Sequence, residues 1–323
     1  FIPLSKAIEE YSADATRLAC VTLADGLDDP DWRRENAEAI GQLLLSTYDL
    51  VQNASSVQQG TGSNMDKWLT SKFRKRITAV TEYLESHQIR KAAIETFYEC
   101  RGDLKWYLRR ARAPGKEVLP NVLKAWVKMM TPFTPHMCEE LWHMLGGSGF
   151  VSTEPWPTVD EFEEDINAVL QEEYLKKLIE DVQEVMKIIP IKPSKMRIYI
   201  AANWKRETAK QVSNLLEQGS KMDAIIRTTV EGLKARGLTK ELREVPKTVQ
   251  KIEGYVRERG LSGYVTSLNT IDEYKLIEEN KDFLKSELSL NEIVVFKEGD
   301  PEIEDPANRA RLAEPMRPSF LLQ

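Results

Sequence analysis

The segment from Met129 to Gly147, MMTPFTPHMCEELWHMLGG, constrains the fold of this chain more than any other. Pro132 and Pro135 fix the backbone φ angle and lack an amide donor, so no regular helix can run through both. Thr134 is a favourable N-cap residue, and proline suits the first helical position that follows it. Apolar side chains then recur every four residues until Gly146 ends the pattern. The segment therefore predicts a stiff corner between two packed helices.

Helical spacing extends on both sides of this corner. Apolar periodicity predicts helices over 5–24, 36–51, 66–87, 89–112 and 118–130, with a Ser/Gln/Gly-rich loop over 53–64. A longer helix is predicted over 161–188. Past Pro190 and Pro193, β-branched runs predict strands over 196–201, 292–297 and 319–322, separated by helices over 203–216, 221–236, 246–259 and 271–288. The predicted fold class is mainly α: a helix bundle followed by a small α/β domain.

The composition indicates a water-soluble protein of about two domains. The 323 residues are 41% hydrophobic and 30% charged, and no run approaches the roughly 20 apolar residues that a membrane helix needs. The N-terminus lacks a signal-peptide pattern. The three cysteines, Cys20, Cys100 and Cys138, lie in helical, mostly apolar contexts, which favours reduced thiols. We therefore expect a cytoplasmic protein without a membrane partner.

Charge is distributed unevenly along the chain. Residues 61–115 contain 12 basic and 6 acidic side chains, and residues 191–271 contain 16 and 8, whereas the remainder contains 17 and 37. Basic zones within an acidic protein suit a specific polyanion ligand, because the acidic remainder repels nucleic acid elsewhere. Ordinary unevenness of the surface would give similar counts, so these numbers leave both interpretations open.

The most ordered basic pattern lies in the predicted helix over 89–112. Arg101, Lys105, Arg109 and Arg112 fall within a stripe of roughly 80° at about 100° per residue, beside an apolar face. Arg110 adds charge nearby. A second cluster contains Lys72, Arg74, Lys75 and Arg76. Such rows suit phosphate oxygens, although a solvated helix face is the usual fate of charged positions.

Signatures of catalysis are missing from the sequence. It contains no glycine-rich phosphate loop, no GxSxG, no Cys-x-x-Cys and no HExxH. His136, Glu140 and His143 share one helical face, but zinc needs a more complete ligand set, so helix-end polar residues are the better interpretation. Nothing in the sequence around Cys138 indicates a strongly activated nucleophile. No catalytic residue and no metal ligand is predicted.

Several segments resemble the class I aminoacyl-tRNA synthetases. Residues 11–19, YSADATRLA, are similar to the helix after the family's KMSKS loop, and residues 32–38 to the entry of its anticodon-binding bundle. Residues 131–146 resemble the corner of that bundle, PFxPHxxEELW. Residues 103–110, DLKWYLRR, and the tail 317–323, RPSFLLQ, resemble the archaeal and eukaryotic type of leucyl-tRNA synthetase.

This resemblance implies a C-terminal fragment that lacks the catalytic and editing domains. Phe1 would follow the KMSKS loop, so residues 1–24 would form a connecting helix, 25–159 the anticodon-binding bundle, 160–190 a long connecting helix, and 191–323 a tRNA-binding α/β domain. The fragment alone would need no cofactor and would be inactive, whereas the intact parent would use ATP with Mg²⁺ to attach leucine to tRNA.

The resemblance also implies where tRNA binds. The basic bundle would support the tRNA body, and the C-terminal domain would meet the long variable arm of leucine tRNA. The expected tail contacts are Arg317, Phe320, Leu321, Leu322 and Gln323. An isoleucine, valine or methionine enzyme remains an alternative, as does a helical protein–protein scaffold whose basic stripe pairs with acidic residues.

Overall fold

Helices dominate the computed structural model, which describes residues 2–23, 31–111, 113–190 and 192–323, apart from the side chains of residues 258 and 259. The chain divides into two compact units, Phe1–Val169 and Leu170–Gln323, within helix α9. The helices that begin in the first unit are α1 Leu4–Tyr11, α2 Ala13–Leu23, α3 Arg34–Ser55, α4 Asn64–Glu85, α5 Ile89–Ile94, α6 Cys100–Arg110, α7 Val118–Met130, α8 Pro135–Met144 and α9 Ile166–Ile188. The predicted mainly α fold class, with a helix bundle and a small α/β domain, is confirmed.

The apolar stripes of these helices form the core of the first unit. Its largest fully buried side chains are aromatic: Trp68, Phe73, Phe97, Tyr107 and Trp126. Phe97 meets Phe133 of the corner edge to face, with ring centroids 5.9 Å apart. Burial of each such ring stabilises the fold by about 1.5–3 kcal/mol. The corner segment is therefore part of the core of the bundle.

The corner forms as predicted, but its capping group comes from elsewhere in the chain. Pro135 begins α8, whereas the hydroxyl of Thr134 makes no capping hydrogen bond. Instead, the buried Asp14 carboxylate accepts from the backbone amide of Met137 at 2.7 Å. Arg17, on the same helix as Asp14, donates to the carbonyl of Pro132 at 3.0 Å. Side chains of helix α2 thus hold the corner segment through a backbone amide and a backbone carbonyl of that segment.

The first helix differs from its prediction. A single helix over 5–24 was expected, but Ser12 has a φ of 79° and separates α1 from α2. The Ser12 side chain accepts from the amide of Ala15 at 3.3 Å, so this residue caps the second helix after ending the first. The single-helix prediction was wrong because apolar spacing does not reveal such a break. Residues 24–30, between the first two predicted helices, lie outside the described residues.

A π-helical turn, Glu95–Glu99, interrupts the helix predicted over 89–112. Within it, the carbonyl oxygen of Thr96 accepts from the Trp126 indole at 2.8 Å. The i→i+5 bonding of a π turn places more residues in each turn than an α-helix does. Residues four apart therefore stay closer to one face here, which brings Glu95 and Glu99 to the side that Asp103 also occupies.

The second unit is built on a three-stranded sheet. Its strands are β1 Lys195–Ile200, β2 Glu292–Lys297 and β3 Ser319–Leu322, in the order β2–β1–β3. Strand β1 pairs parallel with β2 and antiparallel with β3. A parallel pair needs a long connection. Here it consists of α10 Asn203–Glu217, α11 Met222–Ala235, α12 Val245–Arg259, α13 Leu261–Thr270, α14 Glu273–Glu279 and α15 Lys281–Leu288.

The connection contains two departures from the prediction. Helix α13 was missed; it begins after Gly260, whose φ of 78° separates it from α12. The helix predicted over 271–288 is instead α14 and α15, with Asn280 at the junction. The Asp272 side chain caps α14 by accepting from the amide of Lys275 at 3.2 Å. The positive φ of Gly260 and the Asp272 cap account for two of these boundaries, which apolar spacing alone does not resolve.

Candidate nucleic-acid interface

Helix α6 is buried on one side and exposes cations on the other. Leu104 and Tyr107 are fully buried, whereas Lys105 and Arg109 are exposed. The Tyr107 hydroxyl donates to Asp66 at 2.5 Å, and Asp66 also accepts from the amide of Gly115 at 2.9 Å. This buried contact fixes the rotation of α6 about its axis, so the positions of the two exposed cations are set by the core.

The exposed cations of α6 differ in their surroundings. The Arg109 guanidinium lies over the Trp106 ring, 4.5 Å from its centroid, which orients this side chain. Among the described residues, Lys105 has no carboxylate within ion-pair distance. Partial burial, followed by the positive charge of Arg101, lowers the pKa of Lys105. An anion placed beside Lys105 would relieve that repulsion.

The remaining members of the predicted stripe are less available. Arg101 is half-buried, and its Nη2 donates to the Ser46 hydroxyl of α3 at 2.8 Å. Arg110 is also half-buried. Arg112 lies outside the described residues. The structure therefore brings Lys105 and Arg109 together on an exposed face, whereas Arg101 makes a hydrogen bond to α3 within the bundle.

Two of the four cations in the α4 cluster hold other parts of the bundle. Arg74 donates through Nη1 to the carbonyls of Val159 at 2.6 Å and Phe162 at 3.1 Å. Lys75 is exposed and Lys72 is half-buried, and neither has an ion pair among the described residues. Arg74 thus anchors the segment that precedes α9, while the two lysines remain candidates for phosphate.

Arg76 is the clearest departure from the predicted site. It is buried, and its guanidinium meets Asp103 at 2.7 Å, Glu95 at 2.6 Å and Glu99 at 3.2 Å. Burial by itself lowers the pKa of Arg76, but the Asp103 and Glu95 carboxylates more than offset this, so the pKa is raised. All three of its donor nitrogens are therefore occupied. We therefore no longer expect Arg76 to contact RNA, because its ion pairs join α4 to the π turn and to α6.

The predicted tail is an edge strand of the sheet. Within β3, Phe320 lies opposite Ile198 and Leu321 lies opposite Arg197. Leu321 packs against the cluster around Tyr199, whereas Arg317 is exposed and lies over the Tyr255 ring at 5.7 Å. Residues 319–322 are half-buried, so Phe320, Leu321 and Leu322 belong partly to the fold. Arg317 and Gln323 are the exposed members of this predicted site.

His136 contacts a carboxylate of α2, and Cys138 is buried. Nδ1 of His136 lies 2.9 Å from the capping carboxylate of Asp14. Within the described ranges, no group of three or more His, Cys, Asp or Glu side chains could hold a metal ion. Burial raises the pKa of the Cys138 thiol to about 12, so it stays protonated near neutral pH. None of the described helices combines the length and the apolar character needed to cross a bilayer.

Comparison with known proteins extends over the whole chain. Residues 66–224 match the family described as the anticodon-binding domain of tRNA ligase. The leucine–tRNA ligase of Pyrococcus abyssi is 36% identical over 327 residues, which cover 98% of this chain and 31% of that protein. The leucine–tRNA ligase of Methanosarcina acetivorans is 30% identical over 329 residues, covering 100% of this chain and 33% of that protein.

A solved structure is similar to part of the chain. It is a ternary complex of LeuRS, tRNA and LeuAMS from Agrobacterium radiobacter K84, with a TM-score of 0.42 and 19% identity over 62% of this chain and 23% of that one. At this level of similarity, the solved structure adds nothing to the comparison with the sequence relatives. The chain spans about a third of the length of the curated relatives it matches. By sequence, leucine–tRNA ligases are therefore similar to this chain along nearly its whole length, and residues 66–224 match the anticodon-binding domain of tRNA ligase.

Proposed function

We propose that this chain binds tRNA through the exposed cations of α6 and α4, as part of a polypeptide that attaches leucine to tRNA. The main support for this proposal is that Lys105 and Arg109 lie on the same exposed face of α6, and that the buried Tyr107 fixes the orientation of this face. Phosphate contacts of this kind position an RNA without reading its sequence. Lys72 and Lys75 would extend the contact along α4.

The second unit would supply the preference for leucine tRNA. Its exposed residues Arg317 and Gln323 flank β3 and would contact the long variable arm. Phe320 and Leu322 would act mainly by keeping the strand in place. Support for leucine comes from the relatives, which are leucine–tRNA ligases along nearly the whole of this chain.

The chemistry of aminoacylation would belong to the rest of a longer polypeptide. We propose that ATP and Mg²⁺ act there, in the cytoplasm, and that this chain alone neither activates leucine nor transfers it. The residues described above offer phosphate contacts and packing contacts, but no nucleophile or base for such a step. Isolated from the remaining domains, the chain would bind tRNA without turning it over.

The test is the salt dependence of tRNA binding. A Lys105→Gln/Arg109→Gln variant removes two phosphate contacts, so the slope of log affinity against log salt should fall by about 1.5. Filter binding with leucine tRNA over a range of salt concentrations measures this slope. Both side chains are exposed, so the variant should lose no more than the contact of Arg109 with the Trp106 ring, about 0.5–1 kcal/mol, and should unfold close to the wild-type temperature.

A matched control removes two cations elsewhere in the first unit. Lys6 and Arg33 are ion-paired with Glu10 and Asp31, and a Lys6→Gln/Arg33→Gln variant changes the net charge equally. Its slope should stay at the wild-type value. Equal slopes for the α6 variant and the wild type would refute the assignment of α6. A wild-type chain that binds an acidic protein but no tRNA would favour a scaffold.

A further inference from the structure

A cavity of about 310 Å³ opens at the carboxyl edge of the parallel strand pair in the second unit. Ile200 ends β1 and Lys297 ends β2, and both line the cavity, as does Asn203 at the start of α10. Ligands of α/β proteins commonly bind outside the carboxyl ends of parallel strands. Strand β3 ends at the opposite end of β1, where the Gln323 amide donates to the carbonyl of Lys195. The cavity is therefore separate from the tail.

Two charged residues build the wall of this cavity. Nη2 of Arg206 donates to the carbonyl of Ile271 at 2.6 Å and also to that of Leu268, so it ties α10 to the end of α13. Glu273 is buried and accepts from the Tyr174 hydroxyl at 2.9 Å. These groups are already satisfied within the unit. They give the cavity its shape and leave its ligand contacts to other side chains.

The side chains at the opening have no such partners. Asn203 and Asn269 are exposed, and their amides make no hydrogen bond with any residue in the described part of the chain. Lys297 is exposed and has no ion pair among these residues; its ammonium lies 5.0 Å from the centroid of the Tyr274 ring. The opening thus presents two amide groups, one aromatic ring and one cation within a single cavity.

This combination suits a single unpaired nucleotide. Side-chain amides can donate to and accept from the edge of a base, as asparagine does with adenine. Unstacked RNA bases are commonly bound on aromatic rings, and a lysine beside the ring can meet the adjoining phosphate. Two carboxylates line the cavity, and both already accept hydrogen bonds within the unit: Glu273 from the Tyr174 hydroxyl, and Asp272 from the amide of Lys275. A metal-binding site would instead need several carboxylates that point inward.

We propose that this cavity binds one unpaired base of the RNA held by this chain. Asn203 and Asn269 contact the base edge, Tyr274 contacts its face, and Lys297 contacts the neighbouring phosphate. The inference rests on the proposed tRNA-binding function and adds to it a base-specific contact outside both the α6 cations and the tail.

Binding measurements at several salt concentrations test the two kinds of contact separately. The full chain carrying Asn203→Ala/Asn269→Ala should bind leucine tRNA about tenfold more weakly at every salt concentration, because base contacts release no counterions. Lys297→Gln should reduce the salt slope by about 0.7. Asn214→Ala, an exposed asparagine near the other end of α10, is the matched control and should bind like the wild type.

A cross-linking experiment locates the base. Ultraviolet irradiation of the wild-type complex, followed by digestion and mass spectrometry, should yield a nucleotide attached to the peptide that contains Tyr274, and Asn203→Ala/Asn269→Ala should weaken this signal. Asparagine variants with wild-type tRNA affinity would overturn the inference. Saturable binding of adenosine monophosphate to the cavity without any effect of the variants on tRNA would assign it to a free nucleotide instead. A wild-type chain that binds no tRNA would refute the proposed function itself, and this inference with it.

Discussion

Replacing Arg76 with alanine is expected to destabilise the first unit strongly while leaving the phosphate contacts in place. The guanidinium meets three carboxylates, and the side chains of Asp103 and Glu95 are only 7% and 16% exposed. Glu99 is 51% exposed, so water can solvate it after the substitution. The cost therefore comes mainly from two carboxylates left in a buried site without their cation.

The size of this effect follows from those two stranded charges. Removing one partner of a buried ion pair costs about 3–5 kcal/mol. For a unit of this size, each kcal/mol lowers the unfolding midpoint by about 2–4 °C, so the expected drop is about 10 °C. Arg76→Lys keeps the charge but cannot form the forked hydrogen bonds, and its loss should be smaller.

Tryptophan fluorescence during urea unfolding measures this loss for the first unit, since six of the seven tryptophans precede residue 170. The neighbouring Lys75→Ala is the control: it should change the free energy of unfolding by less than about 0.5 kcal/mol but reduce the salt slope of tRNA binding. Unfolding of Arg76→Ala at the wild-type urea concentration would refute this role of Arg76, as would a lower salt slope without any loss of stability.

Three further predictions concern capping, pH and the tail. Asp14→Ala removes the capping acceptor of α8 and should cost about 2 kcal/mol in urea unfolding, whereas the exposed Glu9→Ala should cost almost nothing. The amide of Ala168 donates to Asp165 at 3.0 Å and, as the largest of several contributions, lowers the pKa of that carboxyl below its usual 3.8. Because the pKa of Asp165 is lower in the folded than in the unfolded state, its stabilisation is full above about pH 4 and is lost as the pH falls through the folded-state pKa. The difference in unfolding free energy between the wild type and Asp165→Asn should therefore shrink on acidification. A difference that stays constant with pH would contradict this. Arg317→Ala/Gln323→Ala should weaken the binding of a tRNA with a long variable arm more than the binding of a tRNA with a short arm. Equal losses of affinity would argue against the tail contact. Deleting residues 320–323 would be a poorer test, because it would remove most of β3 from its pairing with β1.

Much of the secondary structure was predictable because its determinants are local. Helix α7 and strands β2 and β3 have the predicted bounds, and Pro135 begins α8 as expected. Proline geometry and apolar periodicity act over a few residues, so the sequence shows them directly. The break at Ser12 and the π turn were missed because apolar spacing indicates neither of them.

The candidate site was predictable only as a set of cations. Spacing placed Lys105 and Arg109 on one stripe, and the structure shows both exposed. Spacing did not distinguish Arg76 from Lys75, although one is buried and the other exposed. The cavity residues Asn203, Asn269 and Tyr274 gave no signal in the sequence beyond the position of Asn203 just after a strand.

The sequence by itself determined most of the helices, the strands, the proline corner and the resemblance of this chain to leucine–tRNA ligases. Only the tertiary structure decided which polar groups support the fold and which remain available for a ligand. The Asp14 carboxylate caps a helix 123 residues away, and Arg76 pairs with a carboxylate 27 residues away. A buried charge must find a partner wherever the fold brings one, so its role depends on contacts that sequence spacing does not encode.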